Sequence, residues 1–248
     1  MFGIDVSIIV WVLAIFLFAG VIKGVLGFGL PIITMSLLPF IMPIEKAIVI
    51  SAFVQPATNV FQLISAGGVG KSLRLVWPVL LMLVPGVAIG AWYLTSLDSK
   101  SLLLLVGLTI VTFALVNLMG FRIDIPARHK VLIGGAFGFT AGVFGAMTAL
   151  NGWAFIMYLV GIGADRPTFR SAIALLFLVS GALISSSFWA IGWLTWEAAL
   201  LGAIALLGAF PGMSLGNRLG ERLPGESFRK GVLIALVLIG CVLAVQSG

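Results

Sequence analysis

The sequence predicts an all-α polytopic membrane protein. It is expected to hold two inverted-topology repeats and about 8–10 hydrophobic segments, including two short or re-entrant helical hairpins. Three observations predict this. First, 61% of the 248 residues are hydrophobic and 9% are charged, whereas a soluble domain carries roughly 25% charged residues. Mean hydropathy is +1.25, so the chain cannot cover itself with a water-facing surface. Second, the apolar residues fall into runs near the length that crosses a bilayer. Third, glycine-spaced segments of the first half recur in the second.

The runs are 6–23, 30–43, 47–66, 75–95, 101–119, 131–147, 150–163, 168–191, 198–216 and 230–246. A spanning helix needs about 20 residues. The second and seventh runs are short, reaching only about 20 Å at 1.5 Å per residue. Runs 1–2 and 6–7 therefore read as hairpins that return the chain to its starting side, whether they re-enter or cross. "MFGIDVSIIVW" has no Lys or Arg ahead of its apolar run, so it reads as a retained first segment and not as a signal peptide.

Lys and Arg placement gives sidedness. Lys71 and Arg74 lie between runs 3 and 4, and Arg122, Arg128 and Lys130 between runs 5 and 6. Arg166 follows run 7, and Arg218, Arg222, Arg229 and Lys230 lie between runs 9 and 10. The alternate loops "TSLDSK" and "IGWLTWE" are poor in net positive charge. All basic loops share the cytoplasmic side if both termini are non-cytoplasmic. Trp189, Trp193 and Trp196 flank an uncharged loop and suit an outer interfacial belt.

The repeat is carried by two matches. "GVIKGVLG" (Gly20–Gly27) shares glycine spacing with "GFTAGVFG" (Gly138–Gly145), and "PGVAIGAWYLTSL" (Pro85–Leu97) matches "PGMSLGNRLGERL" (Pro211–Leu223). The chain is thus one transmembrane transporter domain, 1–248, with repeats of about 6–119 and about 131–246. Each half holds five runs with the second short. Five is odd, so the second half enters from the opposite side. Inverted halves with interrupted segments at matching positions mark secondary transporters, and the breaks point to the binding site.

The first break is "AGVIKGVLGFGLPII". Pro31 suits a first helical turn, where its missing N–H costs nothing. Run 2 then begins near Leu30, with Gly27 and Gly29 letting backbone approach a ligand. In "GAMTALNGWAF", Thr148 or Asn151 can cap run 7. Helix N-termini at two such breaks attract an anion. Lys23 has two readings: a charge beside the first break that meets substrate, or a lysine that snorkels from the end of an 18-residue helix about 27 Å long.

Run 3 carries Ser51, Gln55, Asn59 and Gln62 at spacings that share one helix face. Pro56 frees a carbonyl there. The stripe reads as a lined cavity, with interhelical hydrogen bonding as the alternative. Arg170 opens run 8, either facing the second hairpin or anchoring the cytoplasmic side. Gly20/Gly24, Gly86/Gly90 and Gly212/Gly216 have the small-xxx-small spacing of helix packing. His129 reads as solvated loop. Cys241, the single cysteine, cannot form an intrachain disulfide.

No His, Cys and carboxylate cluster suggests a metal or cofactor, no nucleophile–base pair suggests an enzyme, and no basic run alternates with aromatics for nucleic acid. The eight acids all lie at loops or run ends, so no buried carboxylate is poised as a proton relay.

Three segments carry a resemblance. "KGVLGFGLPIITMSLLPFIMPIEKAIVIS", "TNVFQL" with Asn59 and Gln62, and "NGWAFIMYLVGIGADRPTFRSAIALLFLVSG" with Arg170 resemble the sulfite exporter (TauE/SafE) family of bacterial permeases. "GVFGAMTALNG" has fewer glycines than that family's usual second hairpin. The resemblance implies a multi-pass inner-membrane carrier of sulfite, sulfonates or other small organosulfur anions and organic acids.

The combined expectation is alternating access at the interface of the repeats. The partners are a small anion, the lipid bilayer and a coupling ion, proton or sodium, with homo-oligomerisation left open. Lys23, Gly27, Gly29, Gln55, Asn59, Gln62, Thr148, Asn151 and Arg170 are the expected substrate-binding residues, without cofactor or metal. A non-transporting scaffold or insertase subunit and an anion channel stand as the alternatives.

Overall fold

A computed structural model describes residues 5–120, 123–220 and 225–246, with side chains of the last helix from residue 231 on. Of the basic residues used for sidedness, Arg122, Arg222 and the side chains of Arg229 and Lys230 lie outside the described residues, as do those of Glu221 and Glu226 among the acids.

Among the described residues the ten runs form ten helices. They are α1 (Val6–Leu26), α2 (Leu30–Leu37), α3 (Ile44–Ala66), α4 (Val69–Leu94), α5 (Ser99–Leu118), α6 (Lys130–Thr148), α7 (Gly152–Gly161), α8 (Arg166–Ala190), α9 (Trp196–Gly220) and α10 (Gly225–Gln246). Among the described residues, seven helical segments are long and apolar enough to cross a membrane, and α2 and α7 are not among them. α1 starts where the Asp5 carboxylate accepts from the Ser7 N–H at 2.9 Å, and α5 where Asp98 accepts from the Ser101 N–H at 3.0 Å. Both bonds satisfy N–H groups that a helix start leaves open. Exposed Trp11, Ile64, Met119 and Leu132 form the kind of apolar surface that suits lipid and would not suit water.

The helices pair closely: α1 with α9, α4 with α6, α5 with α10 and α3 with α8. In lipid, apolar side chains gain little by leaving their surroundings, so close backbone approach decides these contacts. Glycine permits that approach at two seams. A Cβ at Gly20 or Gly24 would lie 2.5 Å from the carbonyl oxygen of Ala209 or Met213 on α9, and Gly212 abuts the Leu17 carbonyl of α1. The α4–α6 seam is built alike, with Gly86 and Gly90 against α6 and Gly138 and Gly142 against α4. The small-xxx-small residues thus have the packing role expected of them.

Two contacts fix one face of the bundle. Lys46 pairs with Glu197 at 2.9 Å, and Ser99 donates to Glu45, so α3, α5 and α9 begin together. At the opposite face the Ile125 N–H donates to the Gly161 carbonyl at 2.8 Å, joining the α5–α6 connection to the end of α7. Exposed His129 beside Arg128 fits its reading as loop.

Gly212→Ala is expected to destabilise the fold by about 1–3 kcal/mol through overpacking at the α1–α9 seam. Gly231→Ala, with no atom within 4 Å of its new Cβ, should be neutral or slightly stabilising. Thermal unfolding in detergent distinguishes the two, and equal midpoints would contradict the seam.

Candidate functional site

The first break follows α1 directly. Gly27 (φ 80°) ends α1 and Gly29 (φ 104°) precedes α2. Both angles lie in the left-handed region that glycine enters without a Cβ clash. Pro31 occupies the first turn of α2, as expected. The second break uses Ala149 (φ 58°) in the same role, and the Leu150 N–H donates to the Thr148 hydroxyl at 3.1 Å. Thr148 therefore closes the break itself and does not cap α7. Asn151 occupies the cap position of α7, but its side chain makes no capping bond.

α3 runs past both breaks and supplies the polar side chains. Ser51, Gln55, Thr58, Asn59 and Gln62 are all buried on it. Gln62 Nε2 donates to the Gly27 carbonyl at 2.8 Å and reaches the Arg170 carbonyl at 3.4 Å. Gln55 Nε2 reaches the Ala149 carbonyl at 3.4 Å. One stripe of α3 thus touches the first break with Gln62 and the second with Gln55. Ser51 shares a 2.9 Å hydrogen bond with Thr34 of α2, fixing that short helix against α3. Gly181 of α8 faces Gln55 and Pro56, leaving room where the two helices cross.

Lys23 does not snorkel. It is 3% exposed, and its ammonium donates to Asn59 Oδ1 at 2.7 Å and Thr58 Oγ1 at 3.3 Å. Asn59 Nδ2 in turn donates to the Gln55 carbonyl at 2.7 Å, which orients its oxygen toward the lysine. Snorkelling fails because Lys23 lies on the side of α1 that packs into the protein, where Asn59 and Thr58 hold its ammonium. Among the described residues, no carboxylate lies within 4.0 Å of this ammonium, and the ion pair found is the distant Lys46–Glu197.

Of the two readings of Arg170, the one that faces the second hairpin is not met, and its exposure fits the other, an anchor. Arg170 is exposed, and its Cγ lies 3.9 Å from the Cβ position of Gly27, at the first break and not the second. The reason is direction: α8 begins at the face where α3 ends, beside the first break. Several buried polar atoms lack partners, including both Asn151 side-chain atoms and the Oε1 atoms of Gln55 and Gln62. Thr58 escaped the sequence reading, although positions 51, 55, 58, 59 and 62 fit one helical face and so carried the signal.

The two breaks also share a cleft. Phe28 and Gly29 line it from one side, Leu150 and Gly152 from the other, with Phe113 and Phe177 between. α2 then runs toward the Glu45 end of α3, and α7 toward Ile125, so the two short helices leave toward opposite faces.

A multi-pass membrane permease is the class that these features define: spanning helices, two breaks meeting at one place, and a buried cation beside them. The chain belongs to the sulfite exporter TauE/SafE family, whose model matches residues 12–243, nearly its whole length. No curated protein and no solved structure matches it.

Asn59→Leu should destabilise the protein by about 1–3 kcal/mol, since it leaves a buried ammonium short of an acceptor. Adding Lys23→Met should recover most of that loss, because the penalty belongs to the stranded charge. A double-mutant cycle on thermal unfolding reads the coupling, and additive losses would contradict the contact.

Proposed function

We propose that the protein is a secondary carrier of small anions, with sulfite, sulfonates and related organosulfur anions or organic acids as its substrate class. One observation carries this reading: the Lys23 ammonium is buried, held by neutral oxygens, and faces no carboxylate among the described residues. An unpaired charge in the membrane interior is costly and marks function by default. A substrate anion supplies the missing counter-charge.

Asn59 orients the Lys23 ammonium, Gln55 and Gln62 tie α3 to the two breaks, and Asn151, at the second break, offers a free amide. Gly27 and Gly29 let the backbone approach the ligand. Thr148 holds the second break, and Arg170 stands exposed beside the first, where it can draw an anion in by charge.

Alternating access between two inverted halves, about 6–119 and about 131–246, is supported by the helix pairings. Exchanging α1–α5 with α6–α10 turns the α1–α9 pair into the α6–α4 pair, and returns α3–α8 and α5–α10 to themselves. Such exchange symmetry lets one rocking motion open a fixed site to either side. The positive-inside pattern supports non-cytoplasmic termini in an inner membrane, since Lys71, Arg128 and Arg166 sit at or just before the starts of α4, α6 and α8, away from the Lys46–Glu197 face. The coupling ion belongs to the same proposal, as proton or sodium.

In proteoliposomes the purified protein should give saturable uptake of labelled sulfite or a small sulfonate, with counterflow. Lys23→Ala should cut that flux at least about tenfold, the loss of about 1.4 kcal/mol or more of binding. Lys100→Ala, an exposed lysine at the start of α5, should leave it unchanged. Equal effects would remove Lys23 from the site, and no flux of any small anion from folded protein would sink the carrier.

A further inference from the structure

The buried polar atoms along α3 beside Lys23 are unevenly matched for an ordinary anion. A fully deprotonated anion only accepts hydrogen bonds, and the donor that faces it there is the remaining Lys23 N–H; the Asn151 amide stands at the second break and the unpartnered Ser171 and Ser185 hydroxyls, which donate or accept, stand on α8. Yet Gln55 Oε1, Gln62 Oε1 and Asn151 Oδ1 are buried acceptors without partners. Gln55 is 1% exposed, Gln62 6% and Asn151 0%.

Rotating the amides does not remove the excess. Gln62 Nε2 faces the Gly27 carbonyl and Gln55 Nε2 faces the Ala149 carbonyl. A carbonyl accepts only, so it fixes which end of each amide faces it. The two glutamine oxygens are therefore surplus acceptors whichever way Asn151 turns. They flank the Lys23–Asn59 bond on the same side of α3, one helical turn away in each direction. Leaving such oxygens unpaired beside a bound ligand costs free energy for each.

We infer that the anion carried here is a monoanion that also bears an O–H group, whose proton is donated to the free oxygen of Gln55 or Gln62 while Lys23 meets the negative charge. The inference rests on the proposed reading of the site as an anion site. One ammonium balances one negative charge, and the O–H uses an acceptor that a bare oxyanion would strand. The O–H can stand on carbon, as in a hydroxylated sulfonate, or on the oxyanion itself, as in a singly protonated phosphonate. Either source presents the same chemistry to the glutamines. The arrangement also moves a proton with an oxyanion that carries its own, so no protein carboxylate is required for that step.

Two pairs of probes isolate the O–H at constant charge, in competition against a labelled sulfonate on the intact protein in liposomes at pH 6. The first pair is 2-hydroxyethanesulfonate and ethanesulfonate, with the O–H on carbon. The second is methylphosphonate, singly protonated at that pH, and methanesulfonate, with the O–H on the oxyanion. In at least one pair the O–H member should compete about tenfold or more better, and the pair that shows it identifies the source. Gln62→Met and Gln55→Met, made separately so that one misfolded variant does not end the test, should shrink that preference to within about twofold in at least one case. Equal competition within both pairs would overturn the inference and leave the anion site standing. A preference that survives undiminished in both variants would also overturn it. Failure of all four probes and of the labelled sulfonate itself to bind would defeat the anion reading beneath it.

Discussion

An ammonium buried with no carboxylate beside it among the described residues is the constraint around which the centre of this protein is arranged. Lys23 is bonded to Asn59 and Thr58, both neutral, in a chain whose mean hydropathy is +1.25. Moving an ion away from water costs several kcal/mol even after relaxation. Two neutral hydrogen bonds offset part of that cost and do not neutralise the charge. The first helix must therefore carry its lysine to one particular place on α3, and α3 must present acceptors there. That geometry fixes the depth of the first break, four residues further along the chain at Gly27.

The seams hold this arrangement without a large hydrophobic driving force. α1 is pressed against α9 by glycines that remove the steric bulk between backbones, and α4 meets α6 in the same way. The breaks then share α3 as a common support. Gln62 grips the first through the Gly27 carbonyl and Gln55 reaches the second through the Ala149 carbonyl. A displacement of α3 is felt at both breaks at once. In the carrier proposed above, that linkage would give a rocking motion a mechanical route to the proposed site.

Much of this was legible in the sequence because bilayer physics leaves few options. Among the described residues the ten apolar runs became ten helices, since backbone groups in lipid must bond within their own segment. Pro31 announced the start of α2, and Gly27 and Gly29 announced the turn before it. The four-residue spacing of Ser51, Gln55 and Asn59 announced a buried polar face. What the sequence left open depended on rotation and depth. Lys23 near the end of a helix is compatible with snorkelling or burial until its neighbours on α3 are known. Arg170 could face the second hairpin or stand as an anchor until the starting face of α8 was fixed. Thr148 and Asn151 were interchangeable as caps on spacing alone. Local geometry separated them, giving Thr148 the break and leaving the Asn151 amide free. The small-xxx-small glycines announced close helix packing, but only the fold shows which backbones touch.

The most direct test of the central claim is to locate the anion. Selenite, the selenium analogue of sulfite, can be soaked into crystals of the protein and found by its anomalous scattering. The account predicts a selenium peak beside the Lys23 ammonium, between the two breaks, with an oxygen in hydrogen-bond range of Nζ, and no such peak in Lys23→Met crystals. A peak bound elsewhere in the wild-type protein, or one that persists at this position in Lys23→Met, would contradict it.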